Sequence, residues 1–207
     1  MSAPLTAAQI EVFERCLSVG GVAVFPSDTV YGVACDPAER RAVMRLYALK
    51  RRPLEVPSAV MFFALDSALA SLPEIGPRTK DALCALLPGA VTLLIDNPAG
   101  RFPLACGGEP ATLGLRVPEL GPELAALSAV QWPVLQSSAN GSGEPAPRSI
   151  EELAEDFQAE VDLVLDVGPL SGTSSTIVDL RGYEADGSWS VVREGPVGPG
   201  QLGEILG

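Results

Sequence analysis

Histidine is absent from this chain, and the absence removes more chemistry than any other feature of its composition. Without an imidazole there can be no Ser–His–Asp or Cys–His nucleophile system and no His-containing zinc site. The side chain most often used for proton transfer near neutral pH is also missing. Cysteine is sparse: Cys16, Cys35, Cys84 and Cys106 stand far apart and form no CxxC pair. That spacing argues against a zinc site built from four thiolates. A chain of 207 residues can build a core without disulfides, so free thiols in a reducing, cytoplasmic setting are expected. The first residues are small and polar, with no basic stretch leading into an apolar one, and do not read as a signal peptide. The longest apolar runs, such as 58–65, fall well short of the ~20 residues of a membrane span.

Apolar side chains are plentiful, at 47% against 19% charged, which excludes general disorder. The length fits one domain of ~100–200 residues, and residues 1–207 are expected to form a single unit. Net charge is −12, from 14 basic and 26 acidic residues, and its distribution is uneven. Residues 150–207 hold twelve acids and only two bases, Arg181 and Arg193. Six of the fourteen bases fall between 40 and 52: Arg40, Arg41, Arg45, Lys50, Arg51 and Arg52. So acidic a chain does not read as a general nucleic-acid binder, whose usual footprint is a basic domain. A local basic cluster on it suggests a confined anion site, for which Lys50 and Arg52 are the candidates, whereas Arg40, Arg41 and Arg45 fit a solvated helix face better.

Hydrophobic periodicity predicts helices over 6–19, 77–87 and 121–130. The run Asp36-Pro37-Ala38-Glu39 predicts a further helix to about Leu49, with Asp36 as N-cap and Glu39 closing a capping box. Ser149 and Glu152 predict another, through Val161. Strands are expected at 21–25, 58–65, 90–96, 112–117, 133–137, 162–167, 176–180 and 188–193. Alternating strands and helices with no linker or repeat predict one α/β domain (α+β type) around a mixed parallel and antiparallel sheet, its late part antiparallel.

Polar, turn-forming clusters sit just after several predicted strands, where open α/β sheets place their ligands. The first is Ser27-Asp28-Thr29, after the first strand; a plain polar turn fits it equally well. Lys50 and Arg52 flank Arg51 just before Pro53; an extended stretch projects such a pair to one side. An arginine fork and a lysine point charge both suit phosphate, and on an irregular segment their removal is expected to cost little stability. Along 112–117, Thr112, Gly114 and Arg116 share one face, and Leu113, Leu115 and Val117 the other. A buried Arg116 needs an anion, whether a bound ligand or a carboxylate of the chain. Gln136 to Gly143 is a small-residue loop of hydroxyls and amides able to approach phosphate, and Ser174-Ser175-Thr176 leads hydroxyls into a strand. No Walker A or G-x-G-x-x-G sequence is present. The four thiols read as structural, although Cys35 follows the first cluster closely enough to line the cleft.

The motifs Phe-Pro-Ser-Asp-Thr-Val-Tyr-Gly at 25–32, Lys-x-Arg-Pro at 50–53 and Pro-Gly-x-x-Thr at 88–92 continue in order. Arg-Val-Pro at 116–118, Ser-Ala-Asn-x-Ser-Gly at 138–143, Ser-Thr-x-Val-Asp at 175–179 and Arg-x-Gly at 193–195 follow. In this ordered set the chain resembles the YrdC-like family of L-threonylcarbamoyladenylate synthases, in its short, TsaC-type single-domain form. The resemblance covers roughly residues 9–200. It implies a twisted mixed sheet flanked by helices, of YrdC/RibB-like type, with a positively lined cavity. The implied activity makes threonylcarbamoyl-AMP and pyrophosphate from L-threonine, bicarbonate or CO2, and ATP. Mg2+ would accompany ATP, bound by phosphate and water with no protein metal site. Partner proteins would transfer the threonylcarbamoyl group to tRNA, with at most weak direct tRNA binding by the chain itself.

By the same resemblance, Lys50, Arg52, Thr112, Ser138, Asn140 and Arg193 fall at ATP-binding positions, with Lys50 and Arg52 carrying the catalysis. Thr29, Arg116, Gln136 (through its backbone) and Ser175 fall at threonine-binding positions. Many members carry polar, ligand-contacting residues where this chain has Val56, Met61 and Ala146. The chemistry is compatible with the missing histidine. A carbamate oxygen is already a nucleophile, so the reaction calls for positioning, charge neutralisation and exclusion of water. Dihydroxybutanone-phosphate synthase, on a related fold, typically uses a histidine and does not fit. A non-catalytic RNA-binding module of the same fold is the alternative, weakened by the charge of −12.

Overall fold

A computed structural model describes residues 3–207. Nine strands form one mixed sheet: β1 (Ala23–Pro26), β2 (Tyr31–Cys35), β3 (Ala59–Met61), β4 (Val91–Asp96), β5 (Thr112–Arg116), β6 (Val134–Ser138), β7 (Leu163–Val164), β8 (Thr176–Asp179) and β9 (Ser190–Arg193). Their spatial order is β7-β1-β2-β6-β3-β5-β4-β8-β9. The pairs β1/β7, β3/β5 and β4/β8 are parallel and the other five antiparallel. Seven α-helices surround the sheet among the described residues: α1 (Ala7–Ser18), α2 (Arg40–Leu49), α3 (Leu65–Ser71), α4 (Pro77–Leu86), α5 (Glu155–Glu160), α6 (Tyr183–Asp186) and α7 (Pro199–Leu206). The expected α/β class with a mixed sheet is what forms. No described helix is long and apolar enough to cross a membrane.

The two faces of the sheet have different fates, because successive strand residues alternate sides. Val33, Val60, Leu93, Leu115 and Leu135 face a large core that also takes Val43, Leu46 and Tyr47 of α2 and Leu83 of α4. On the opposite face, Phe25, Met61, Phe63 and Val134 pack under Phe13 of α1, with Phe13 and Phe25 ring centroids 5.5 Å apart. α1 covers only part of that face. Beyond it the same strands turn small and polar, and the face opens to solvent as a cleft.

Several boundaries depart from the periodicity. α2 begins at Arg40 with Glu39 as its N-cap, the Glu39 carboxylate accepting from the Arg41 N–H at 3.0 Å. Asp36 instead accepts from the Ala38 N–H, so its side chain serves a turn and not the helix. The apolar run at 58–65 yields a strand of three residues, and Leu65 opens α3. The stretch 121–130 forms only a 3₁₀ turn at Ala125–Ala129. The helix expected from Ser149 to Val161 is broken into a 3₁₀ turn (Ile150–Glu152) and α5, and Ser149 makes no side-chain cap. Glu152 instead accepts from the Arg148 N–H at 2.9 Å and pairs with its guanidinium. The late strands are not uniformly antiparallel: β7 runs parallel to β1, and β8 runs parallel to β4 on one side and antiparallel to β9 on the other.

Candidate functional site

The cleft floor follows strand register. Gly32 of β2 lies opposite Ser138 of β6, and Ala59 of β3 sits between Gly114 and Gln136. Thr92 pairs with Ile177, and Ile177 with Arg193. Small residues in the middle strands leave a cavity of about 520 Å³, within the usual range of ~300–1,000 Å³ for ligand sites. Four cations reach its lining: Lys50, Arg52, Arg116 and Arg193.

Lys50 and Arg52 arrive there by a turn rather than an extended stretch. α2 ends with the Arg51 N–H on Ala48 O at 2.9 Å and the Arg52 N–H on Tyr47 O at 3.0 Å. This is the paired Schellman pattern, with Arg51 at the left-handed position usually held by glycine (φ +51°). Arg51 turns out to solvent and pairs with Asp156 at 3.0 Å, while its two neighbours swing into the cleft. Lys50 is 2% exposed. Its Nζ donates to Ser138 O and, at 2.7 Å, to Asn140 O. Burial first, and the Arg52 charge second, bring its pKa down to about 8. Arg52 donates to Pro57 O and lies over the Tyr47 ring, 6.0 Å from its centroid.

Arg116 is buried as its strand pattern requires, with Leu113, Leu115 and Val117 in the core behind it. Its Nη2 donates to the buried carboxylate of Asp28 and, at 2.7 Å, to Thr29 Oγ1. The anion it needs is therefore supplied in part by the chain. Arg193 donates to Ser175 O at 2.7 Å, and Ser175 Oγ meets Thr92 Oγ1 at 2.8 Å. Beyond Arg193, a Cβ on Gly195 would fall 2.4 Å from Thr176 N and 2.5 Å from Ser174 O. Only glycine lets the end of β9 lie so close to the start of β8.

Of the four cations, only Arg116 has a carboxylate partner among the described residues. The others spend their donors on carbonyls and hydroxyls. The buried side-chain atoms without a partner are Arg52 Nε, Ser58 Oγ, Arg116 Nε and Asn140 Oδ1, and all four residues line the cleft. Lys50 is buried and Arg52 half-buried without counter-charge, while Arg193 stays exposed at the cleft's edge. A cation withdrawn from water is costly unless a ligand completes it. The cleft is built for an anion.

Residues 15–195 match the Sua5–YciO–YrdC family, whose description is "Telomere recombination". The chain belongs to this family. A threonylcarbamoyl-AMP synthase of Stutzerimonas stutzeri is 34% identical over 178 residues, covering 85% of this chain and 95% of that one. Pyrococcus abyssi Sua5, solved in complex with L-threonine, superposes with a TM-score of 0.84 at 26% identity. That match takes in 98% of this chain, which spans 58% of the longer archaeal chain. Escherichia coli YciO shares the fold, with a TM-score of 0.77 at 24% identity over 94% of this chain and 93% of its own.

Nine of the ten residues singled out from the sequence line the one cavity: Lys50, Arg52, Thr112, Arg116, Gln136, Ser138, Asn140, Ser175 and Arg193. Thr29 stands apart, its hydroxyl taken up by Arg116 and by Ser27 at 3.2 Å. Val56 and Ala146 also reach the cleft, whereas Met61 is fully buried under α1. Cys35 does not reach it either: it is buried in the main core, where burial pushes its thiol up to about 12. All four cysteines are free. Sequence reasoning gave no role to the cleft residues Thr92, Glu109 and Glu144, and named Asp28 only as part of the first polar cluster. Thr92 and Asp28 sat in quoted motifs, but nothing local marked Glu109 or Glu144, which loops bring to the rim.

Proposed function

We propose that the cleft forms threonylcarbamoyl-AMP and pyrophosphate from ATP, L-threonine and bicarbonate, with residues 1–207 acting as one YrdC-like domain in the cytoplasm. The observation that carries this reading is the set of cations lacking carboxylate partners in a single cavity. A triphosphate supplies the charge that Lys50, Arg52 and Arg193 lack. Thr112, Ser138 and Asn140 add neutral contacts to the nucleotide. The Arg116 guanidinium takes the threonine carboxylate, which its fork geometry fits better than an ammonium would, with Gln136 and Ser175 beside it. Bicarbonate takes up a proton and gives up an oxygen as water to form CO2, and the threonine amine adds to that carbon with its surplus proton passing to solvent. The carbamate oxygen of the resulting N-carboxythreonine attacks the α-phosphorus. The new O–P bond forms as the bond to the bridging oxygen breaks, and pyrophosphate leaves with that electron pair. No proton need be removed from the nucleophile, so the absence of histidine is no obstacle. Lys50 and Arg52 neutralise charge on the leaving pyrophosphate.

Mg2+ enters with ATP as part of the substrate. The described residues offer no group of three or more metal-binding side chains. Of the cleft carboxylates, Glu144 accepts from the Gly141 N–H and Glu109 lies 3.6 Å from Arg181. An ion held by phosphate oxygens and water suits this donor set. The product is a mixed anhydride, and partner proteins that transfer its threonylcarbamoyl group to tRNA complete the pathway. The test is pyrophosphate release: it should require ATP, threonine and bicarbonate together. Threonine-independent formation of ADP would overturn the reading.

A further inference from the structure

We propose that Asp28 is a positioning residue that aims the Arg116 guanidinium at the amino-acid carboxylate; this rests on the reading of Arg116 given above. Asp28 lies in the turn between β1 and β2 and is almost fully buried. Both of its oxygens are committed. One accepts from Arg116 Nη2, and the other accepts at 3.1 Å from the Glu119 N–H, on the segment that follows β5. The turn itself is fixed by Ser27, whose Oγ donates to Val30 O at 2.7 Å and accepts from the Val30 N–H. The carboxylate is thus anchored to two parts of the chain before any ligand arrives.

Asp28 does not line the substrate cleft. It faces a separate cavity of about 420 Å³ together with Glu119 and Glu123, so its influence on substrate has to pass through Arg116. That influence has a clear geometric form. Asp28 and Thr29 both take Nη2, fixing one corner of a planar group whose side chain otherwise has several free torsions. Nε is left without a partner, on a residue that lines the cleft. Asp28 also supplies negative charge to a cavity whose lining holds Arg116 together with Lys50, Arg52 and Arg193. With that charge removed, Arg116 would keep its burial and lose both its anchor and its compensation.

The experiment is a double-mutant cycle in the pyrophosphate-release assay, titrating ATP and threonine separately. Asp28→Asn keeps the shape of the side chain and removes its charge. It should raise the threonine KM ~10- to 100-fold, the loss expected for a charge-assisted contact, and move the ATP KM by less than about twofold. Arg116→Lys should also raise the threonine KM. The double variant should be no weaker for threonine than Arg116→Lys alone, because Asp28 acts only through Arg116. Additive losses, or equal rises in both KM values, would overturn the proposal and leave Asp28 a general stabiliser. An unchanged threonine KM in Arg116→Lys would instead remove the reading of Arg116, and this proposal with it. Should Asp28→Asn fail to fold, Asp28→Glu replaces it in the cycle, retaining the charge and displacing it by one methylene.

Discussion

Lys50 is the residue whose surroundings depart most from its sequence context. Beside two arginines and a proline it reads as a mobile surface cation, dispensable for stability. It is buried and bonded to two carbonyl oxygens, so Lys50→Ala strands those acceptors, at ~1–3 kcal/mol each. Its depressed pKa has a directional consequence. The folded value of about 8 lies below the usual 10.5, so between these two values the unfolded chain binds more protons than the folded one. This group alone therefore makes the free protein more stable as pH rises from about 8 towards 10.5. ATP binding should do the opposite, because phosphate favours the charged lysine. We expect ATP affinity to fall as pH rises through about 8, with proton uptake on binding that calorimetry in buffers of different ionisation enthalpy would detect. Lys50→Arg, charged throughout, should flatten the profile. An unaltered profile in that variant would assign the pH dependence elsewhere.

At the scale of elements, the C-terminus of α2 does the placing. A Schellman turn reverses the chain, so residues on either side of Arg51 leave the helix axis together and enter the cleft. Arg51 adopts the left-handed conformation at a cost of ~1–2 kcal/mol relative to glycine, and its exposed ion pair with Asp156 returns little. Arg51→Gly should therefore raise stability by ~0.5–1 kcal/mol, readable as a higher denaturation midpoint, without loss of turnover. A fall in stability would mean that the Asp156 contact outweighs the backbone term. The position of this turn was legible in Lys-x-Arg-Pro, because proline stops a helix. Its handedness was not, because arginine carries no left-handed signal.

At the scale of the whole molecule, the acidic last quarter and the basic window belong together. Arg45 pairs with Asp162 at 2.6 Å and Arg51 with Asp156 at 3.0 Å, so part of the cluster faces the late acidic segment. Lys50 and Arg52 are left for the cleft. A cationic cavity inside a molecule of charge −12 gives two opposite responses to salt. Screening relieves surface self-repulsion and weakens attraction between cleft and phosphate. Raising ionic strength from about 0.01 to 0.2 M should increase the melting temperature while lowering ATP affinity. Salt-sensitive tRNA affinity without ATP turnover would favour the RNA-binding alternative.

Strand periodicity alone assigned Arg116 to one side of β5 and Leu113, Leu115 and Val117 to the other, and ordered motifs marked nine of the cleft residues. These are local properties: alternation, turn chemistry and residue type. Tertiary structure decided what local pattern cannot carry. The apolar run at 58–65 splits into β3 and α3, and the stretch 121–130 fails to become an α-helix. β7 and β8 run parallel to strands far away in sequence, and Met61 lies under α1 while Ala59, two residues earlier, opens onto the cleft. Asp28 and Arg116 meet across 88 residues of sequence. The physical reason is common to all of these. Burial and charge pairing depend on what arrives from elsewhere in the chain, and only the folded sheet determines which segments those are.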